Sequence, residues 1–490
     1  MLNTTPLLSR RTLIAGGSAA SLLYLWPAAL QAAERPDGTS AMARRLADYI
    51  CTVRLRDFAP AAIERAKEHL IYHVGLAFSG ALTPTGRQAV EIAALLGAAA
   101  PQTSTIIGRS EKTGPLAAAF ANASFMRALG FDDVHVPSLI HPGLLTYPVA
   151  LAVAEQRHSS GEELLTAVIT GYEVMGKLFL EQDAARAPRR SSMPFGAFGG
   201  AAAAARLMKL SPAQTANAIG YAADAAMGLK EGNEQQPTHY YGLVARNAIT
   251  AAVVAQAGGE TSPSILEGKY GFYATLIGRQ PEPDAIVALL GKDPEILRAT
   301  QKRYPGTATN IVAVQLVLDL VDKERLSASN VARIEFQLPN WRATFEDSTS
   351  VGPYPSRTQA ESSLAFQIAI ILLDGRMDFA RYERFNDPAI LAVTKRVAIE
   401  LIPHRSVRYA RVRITTTDGR SFEREGEDYV FPPLDAVQWL AKDGAKFLPL
   451  GKLERFAHLV RRLESLADAA ELMALLAPSG RELKAVGAQR

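Results

Sequence analysis

The chain has 490 residues, 48% of them hydrophobic and 21% charged, with a formal net charge of +4. Those values describe a globular chain with ample core, exclude a disordered, fibrous or collagen-like one, and at roughly 150 residues per domain predict two or three domains. The near balance of 53 basic and 49 acidic residues leaves no electrostatic footprint for nucleic acid, and one cysteine, Cys51, excludes an intramolecular disulfide and any cluster or zinc site built on several thiolates of this chain.

The first segment predicts an export signal rather than part of the fold. Ser9-Arg10-Arg11-Thr12-Leu13-Ile14 is a twin-arginine pattern, an apolar small-residue stretch follows over 13–30, and Gln31-Ala32-Ala33 suits a signal peptidase. Charged, apolar and small regions in that order read as a signal over 1–33 that directs the folded chain to the periplasm by the twin-arginine route. The plainer alternative is a single membrane anchor, for which the stretch is short and weakly apolar. No later segment has the length and apolarity of a membrane span, so membrane contact is expected only during export.

From residue 39 to about 278 the text is helical, rich in Ala and Leu with apolar residues at helical spacing. Over 61–77, Ile63, Ala66, Leu70, Ile71, Val74 and Ala77 share a face behind Pro60, a residue suited to a helix start. The stretches 117–129 and 163–180 read alike. The run Phe195-Gly-Ala-Phe-Gly-Gly followed by five alanines predicts a helix whose small side chains let neighbouring backbones approach closely. It follows no predicted strand, so it does not read as a dinucleotide fingerprint. Ser211-Pro212 then opens another helix.

The pattern changes near Leu297. Residues 331–338 alternate as a half-buried strand does, and 406–416 alternate with a slip that predicts a bulge near Ala410-Arg411. Thr417-Asp418-Gly419 turns that strand into a hairpin. Helices are predicted over 363–373 and 388–397, and helical text returns over 434–476. The fold class is therefore mainly α: a discontinuous helical domain, 39–296 and 428–480, interrupted by an α+β domain over 297–427.

Eight histidines form no HExxH set. His69 and His73 have a zinc-compatible i, i+4 spacing but lack a third ligand, so a buried amphipathic helix is the favoured reading. Two segments carry more chemistry. Gly130-Phe131-Asp132-Asp133-Val134-His135-Val136-Pro137-Ser138-Leu139-Ile140-His141-Pro142-Gly143 gathers carboxylates and imidazoles in a loop between apolar helices, where such groups are costly unless paired or used. Catalysis and a loop-capping network are equally open there. Lys302-Arg303-Tyr304-Pro305-Gly306-Thr307-Ala308-Thr309-Asn310 lies at the domain boundary, where adjacent cations suit a carboxylate; a solvated basic turn is the alternative.

These segments, with Gly114-Pro115-Leu116, Gly171-Tyr172-Glu173-Val174, Ile265-Leu266-Glu267-Gly268 and Leu372-Leu373-Asp374-Gly375 in the same order, resemble the MmgE/PrpD family over nearly the whole chain after the signal. That family includes 2-methylcitrate dehydratase, cis-aconitate decarboxylase and an iminodisuccinate epimerase. The resemblance implies a helical domain plus an α+β lid, a homodimer, and proton transfer α to a carboxylate of a small di- or tricarboxylate without a metal or redox cofactor. His141 matches the family's catalytic histidine and Lys302 its boundary lysine. With Asp133 they form the expected catalytic set, and Arg303, Tyr304, Arg190, His239 and Asp132 the expected substrate-binding set. Departures are several: the family's acidic residue is Gly130 here, a threonine is Val134, a histidine falls at about Arg190, a lysine and histidine fall at Pro237 and Tyr240, and the lid tyrosine is Phe366. Either Arg190, Lys230, His239, Tyr240 and Tyr241 rebuild the pocket for another substrate, or catalysis is lost and a carboxylate-binding protein remains.

Overall fold

The computed structural model describes residues 41–179, 192–226, 228, 238–344, 346–404, 406, 408–427, 434–479 and 482. The predicted export signal therefore lies outside the described residues, as do Arg190, Lys230 and Pro237. Among the described residues no helix is long and apolar enough to cross a membrane.

The chain begins with α1 (Met42–Thr52), α2 (Pro60–Ala81) and α3 (Pro84–Gly97), then a ribbon of β1 (Ser104–Thr105) and β2 (Lys112–Thr113), then α4 (Pro115–Arg127). A two-residue strand, β3 (Val134–His135), precedes α5 (Gly143–Arg157), α6 (Gly161–Phe179), α7 (Ser192–Leu207), α8 (Pro212–Asp224), α9 (Thr238–Gln256) and α10 (Pro283–Ala288). Prolines open α2 and α4 in the first turn, where no backbone N–H is needed. Ser211 and Gln214 close a capping box at the start of α8.

Helix α2 is the spine. Residues 69–78 are buried on every side, as in a helix with no solvent face. The small-residue run is likewise explained by approach. A Cβ on Gly171 of α6 would lie 2.9 Å from the Gly199 carbonyl oxygen of α7, and one on Gly199 would lie 2.8 Å from that of Gly171. The two backbones touch, which only glycine permits.

After β4 (Ala299–Thr300) the architecture changes to α11 (Ile311–Glu324), β5 (Val331–Pro339), α12 (Glu346–Thr349), α13 (Arg357–Ser362), α14 (Leu364–Asp374), α15 (Pro388–Thr394), β6 (Val397–Ile402), β7 (Ala410–Thr416) and β8 (Ser421–Gly426). The sheet runs β6-β5-β7-β8, with β5–β6 parallel and the other pairs antiparallel. Two sequence expectations are corrected. The helix predicted to 397 ends at Thr394, and Val397 instead begins β6, a parallel strand that the sequence reading lacked. No register shift occurs at Ala410-Arg411. The strand starts there, so Ala410, Val412 and Ile414 share one inward parity, and Tyr409 stacks outside it on His404 at 4.0 Å. The irregularity falls on the partner, between Val331 and Arg333.

Helices α16 (Ala436–Gly444), α17 (Leu450–Arg461) and α18 (Ala469–Ala474) rejoin the first body, whose core contains Leu440, Phe456 and Leu472 beside residues of α1–α9. A second core, from Tyr304 to Ile414, fills the space between the sheet and α11 and α14. The seam between them is specific. Tyr72 and Leu76 of α2, with Phe131 and Val134, belong to the second core. Trp439 of α16 touches both cores, stacks on Tyr72 at 5.4 Å and donates its Nε1 hydrogen to the Tyr72 carbonyl at 3.1 Å.

Candidate active site at the seam

The site begins with the β3–β4 ribbon, in which Val134 pairs with Thr300 and His135 with Ala299. Continuing that antiparallel register two residues outward sets Asp132 opposite Lys302. The side chains follow: Lys302 Nζ lies 3.9 Å from Asp132 Oδ2 and donates to the Gly130 carbonyl at 2.9 Å. Tyr72 pins both strands. Its hydroxyl accepts the Lys302 N–H at 3.1 Å and donates to the Phe131 carbonyl.

Asp132 is fully buried and held from three directions. Arg127 Nη1, at the end of α4, meets Oδ1 at 2.6 Å, and His141 Nδ1 lies 2.5 Å from Oδ2. Burial alone would push this carboxyl up; Arg127, His141 and Lys302 outweigh it and hold it well below the usual carboxylate range. Burial lowers the Lys302 ammonium, an effect Asp132 opposes. Arg127 also lies over the Tyr241 ring, 5.3 Å from its centroid.

His141 completes the cluster around Asp132. Its Nδ1 bonds the Asp133 carbonyl, an acceptor, at 2.7 Å, so Nδ1 carries the hydrogen, and the same nitrogen lies close to Asp132 Oδ2. That leaves the Nε2 lone pair uncommitted on a side chain 16% exposed. The main-chain N–H of His141 donates to Ser192 Oγ at 3.2 Å, fixing the loop against α7.

Asp133 faces the other way, into the bundle. Its Oδ1 takes His73 Nε2 at 3.1 Å and the Gly143 N–H at 3.1 Å, and its Oδ2 takes the Tyr172 hydroxyl at 2.7 Å. His69 Nδ1 is 3.6 Å from Oδ2. Burial raises this carboxyl, but His73, His69 and the Tyr172 hydroxyl leave it below the ordinary range. Burial also pushes His69 down to about 3, so its ring is neutral. Among the described residues no group of three or more His, Cys, Asp or Glu could hold a metal ion, the His69–His73 pair included. His135, the loop's other imidazole, is turned away into a separate buried network. Its Nε2 lies 2.5 Å from Glu295 Oε2, and Glu295 Oε1 accepts Lys177 Nζ at 2.6 Å.

The remaining expected residues divide. Arg303 is half-buried; burial lowers its guanidinium, and Tyr72 and Glu68 oppose that. Tyr304 sits in the second core, with its hydroxyl donating to the Ile311 carbonyl at 2.8 Å. His239 stacks on Phe120 at 5.9 Å and its Nε2 is 3.3 Å from Gln88 Oε1, away from His141. Phe366 packs between Tyr354 and Tyr382 in the second core. The structure thus groups His141, Lys302 and Asp132, places Asp133 behind them, sets Arg303 near Tyr72 and Glu68, and leaves Tyr304 and His239 elsewhere. Sequence reasoning missed Arg127, Tyr72 and Glu361. Arg127 stood five residues before Asp132 at a helix end and was findable; the other two reach the site only through long-range contacts.

Models of the MmgE/PrpD N-terminal domain and C-terminal domain match residues 44–284 and 304–434, together well over half of the chain. The chain belongs to the MmgE/PrpD family. Its curated relatives include the cis-aconitate decarboxylase of Aspergillus terreus (strain NIH 2624 / FGSC A1156), 26% identical over 402 residues that cover 74% of this chain and 80% of the relative. A cis-aconitate decarboxylase-like protein of Aspergillus oryzae (strain ATCC 42149 / RIB 40) is 24% identical, covering 90% of this chain and 98% of its own. In this MmgE/PrpD chain the boundary between the two matched domains, at 285–303, contains β4 and Lys302, so the cluster stands where the two domain models meet.

Proposed function

We propose that this chain is a lyase acting on a small polycarboxylate, with cis-aconitate, the acid in its relatives' names, as the first substrate to test. The observation that carries the reading is His141: an imidazole with Nδ1 locked as donor and Nε2 open, joined through Asp132 to the buried Lys302 and the half-buried Arg127. Cleaving a bond next to a carboxylate places negative charge on carbon and on the carboxylate oxygens. Preformed positive charge in a dry site offsets it. The Nε2 lone pair can take a proton from carbon in an elimination; loss of carbon dioxide instead leaves a pair on carbon that the site must protonate. Asp132 orients the ring and balances the cations, Asp133 holds the loop from behind, and Arg303 adds a forked donor for a second carboxylate. The α+β region acts as a lid over this space. Arg190, outside the described residues, remains a candidate carboxylate ligand.

The test is incubation of the purified chain with cis-aconitate and a panel of small di- and tricarboxylates in deuterated water, followed by NMR. Bond cleavage or solvent exchange at carbon supports the reading, and His141→Ala should then lower kcat by about 10²–10⁴-fold. Binding seen by thermal shift without exchange or product on any acid would favour the binding-protein alternative. Export and dimerisation complete the proposal. A mature chain beginning near Ala33 in the periplasmic fraction, and a dimer mass in sedimentation, are the matching observations.

A further inference from the structure

A carboxylate from the second core completes the cluster. Glu361 lies on α13, and a Cβ built on Gly130 would be 3.7 Å from its Oε2, so the carboxylate abuts the residue whose carbonyl receives Lys302 Nζ at 2.9 Å. Its ion pair with Arg357, Nη2 to Oε1, is long at 3.5 Å, and Oε1 has no hydrogen-bond partner among the described residues. Arg357 is engaged more closely by Glu383, at 2.8 Å, so Glu361 is not needed to neutralise it. The side chain is 16% exposed, as much as His141, and so is neither sealed in a core nor free in water.

We propose that Glu361, which abuts Gly130 from the second core, is the proton donor of the reaction; this rests on the lyase reading above. The groups that face it are Arg357 on its own helix, Arg127 from α4, Lys302 from the boundary, Asp132 from the loop and Tyr382 from the same core. Burial raises the carboxyl, the three cations oppose this, and the balance still lies above the usual glutamate value, which favours the protonated, donating form. In an elimination, His141 Nε2 takes the proton through its own lone pair, and the C–H bonding pair becomes the new π bond. The departing oxygen keeps the C–O pair and leaves as water with the Glu361 proton. In a decarboxylation the pair of the broken C–C bond stays on carbon, which takes that same proton. Either way Glu361 ends as a carboxylate and regains a proton from solvent.

The experiment compares wild type, Glu361→Gln and Glu361→Asp on whichever acid of the panel wild type turns over best. Glu361→Gln should lose about 10²–10³-fold in kcat with KM within a few-fold. The fall in wild-type kcat at high pH, where the donor ionises, should disappear from its profile. Glu361→Asp should retain intermediate activity and a displaced high-pH limb, a response that a merely structural glutamate would not give. Glu361→Gln with kcat within twofold and the limb unchanged overturns the proposal while leaving the lyase reading intact. A wild-type chain that turns over none of the panel overturns the lyase reading, and this proposal with it.

Discussion

Asp132 and Asp133 are adjacent in sequence and face opposite worlds, because successive side chains of an extended segment project to opposite sides. Asp132 meets Arg127, His141 and Lys302; Asp133 meets His73, His69 and Tyr172. The inner group has a stability signature. His69 titrates at about 3 in the folded chain against 6.5 when unfolded, because burial disfavours its cation. The unfolded chain therefore takes up this proton first as pH falls. The contribution is complete above about pH 6.5 and is lost as pH drops toward 3. Between pH 7 and pH 5 the loss from this one ring is about 2 kcal/mol. Urea unfolding at the two pH values should show it, and His69→Leu should reduce the difference by roughly that amount.

At the level of elements, the decisive piece is the smallest: two strands of two residues each, stapled by one hydroxyl of α2. Tyr72→Phe removes the acceptor of the Lys302 N–H and the donor to the Phe131 carbonyl. Both groups are buried, so the change should cost about 1–3 kcal/mol. Because it loosens the backbone under Lys302, KM should rise several-fold more than kcat falls; thermal melts and steady-state kinetics on the same preparation check both. The sequence exposed the helices well, since α2, α4 and α6 each carry a long apolar period and α7 its small-residue run. It exposed His141 and Lys302 through the loop and the boundary segment. It could not expose β6, a short parallel strand without a hairpin partner, nor Glu361, whose only link to Gly130 is a contact across the seam. Tyr304, placed in the expected binding set with the family resemblance, packs its ring in the second core and bonds its hydroxyl to the Ile311 carbonyl, a contact that sequence order does not show.

On the scale of the whole molecule, neither body owns the site. Gly130, Asp132 and His141 come from the first, Glu361 from the second, and Lys302 from the joint between them. The β3–β4 register has a temporal corollary. During synthesis the loop carrying Asp132 emerges long before Lys302, and a desolvated carboxylate lacking part of its cationic cage is unfavourable. The loop should therefore stay hydrated until the chain beyond Thr300 arrives, making assembly of the cage a late event. In refolding from urea, helical circular dichroism should return ahead of Trp439 fluorescence and of ligand binding, with the last two rising together. Simultaneous recovery of all three signals would contradict that order. On the proposed reading the cage is then a proofreading signal: it is complete only once the loop near Asp132 and the boundary segment near Lys302 have met, so retention of a carboxylate would serve as an assay of completed folding.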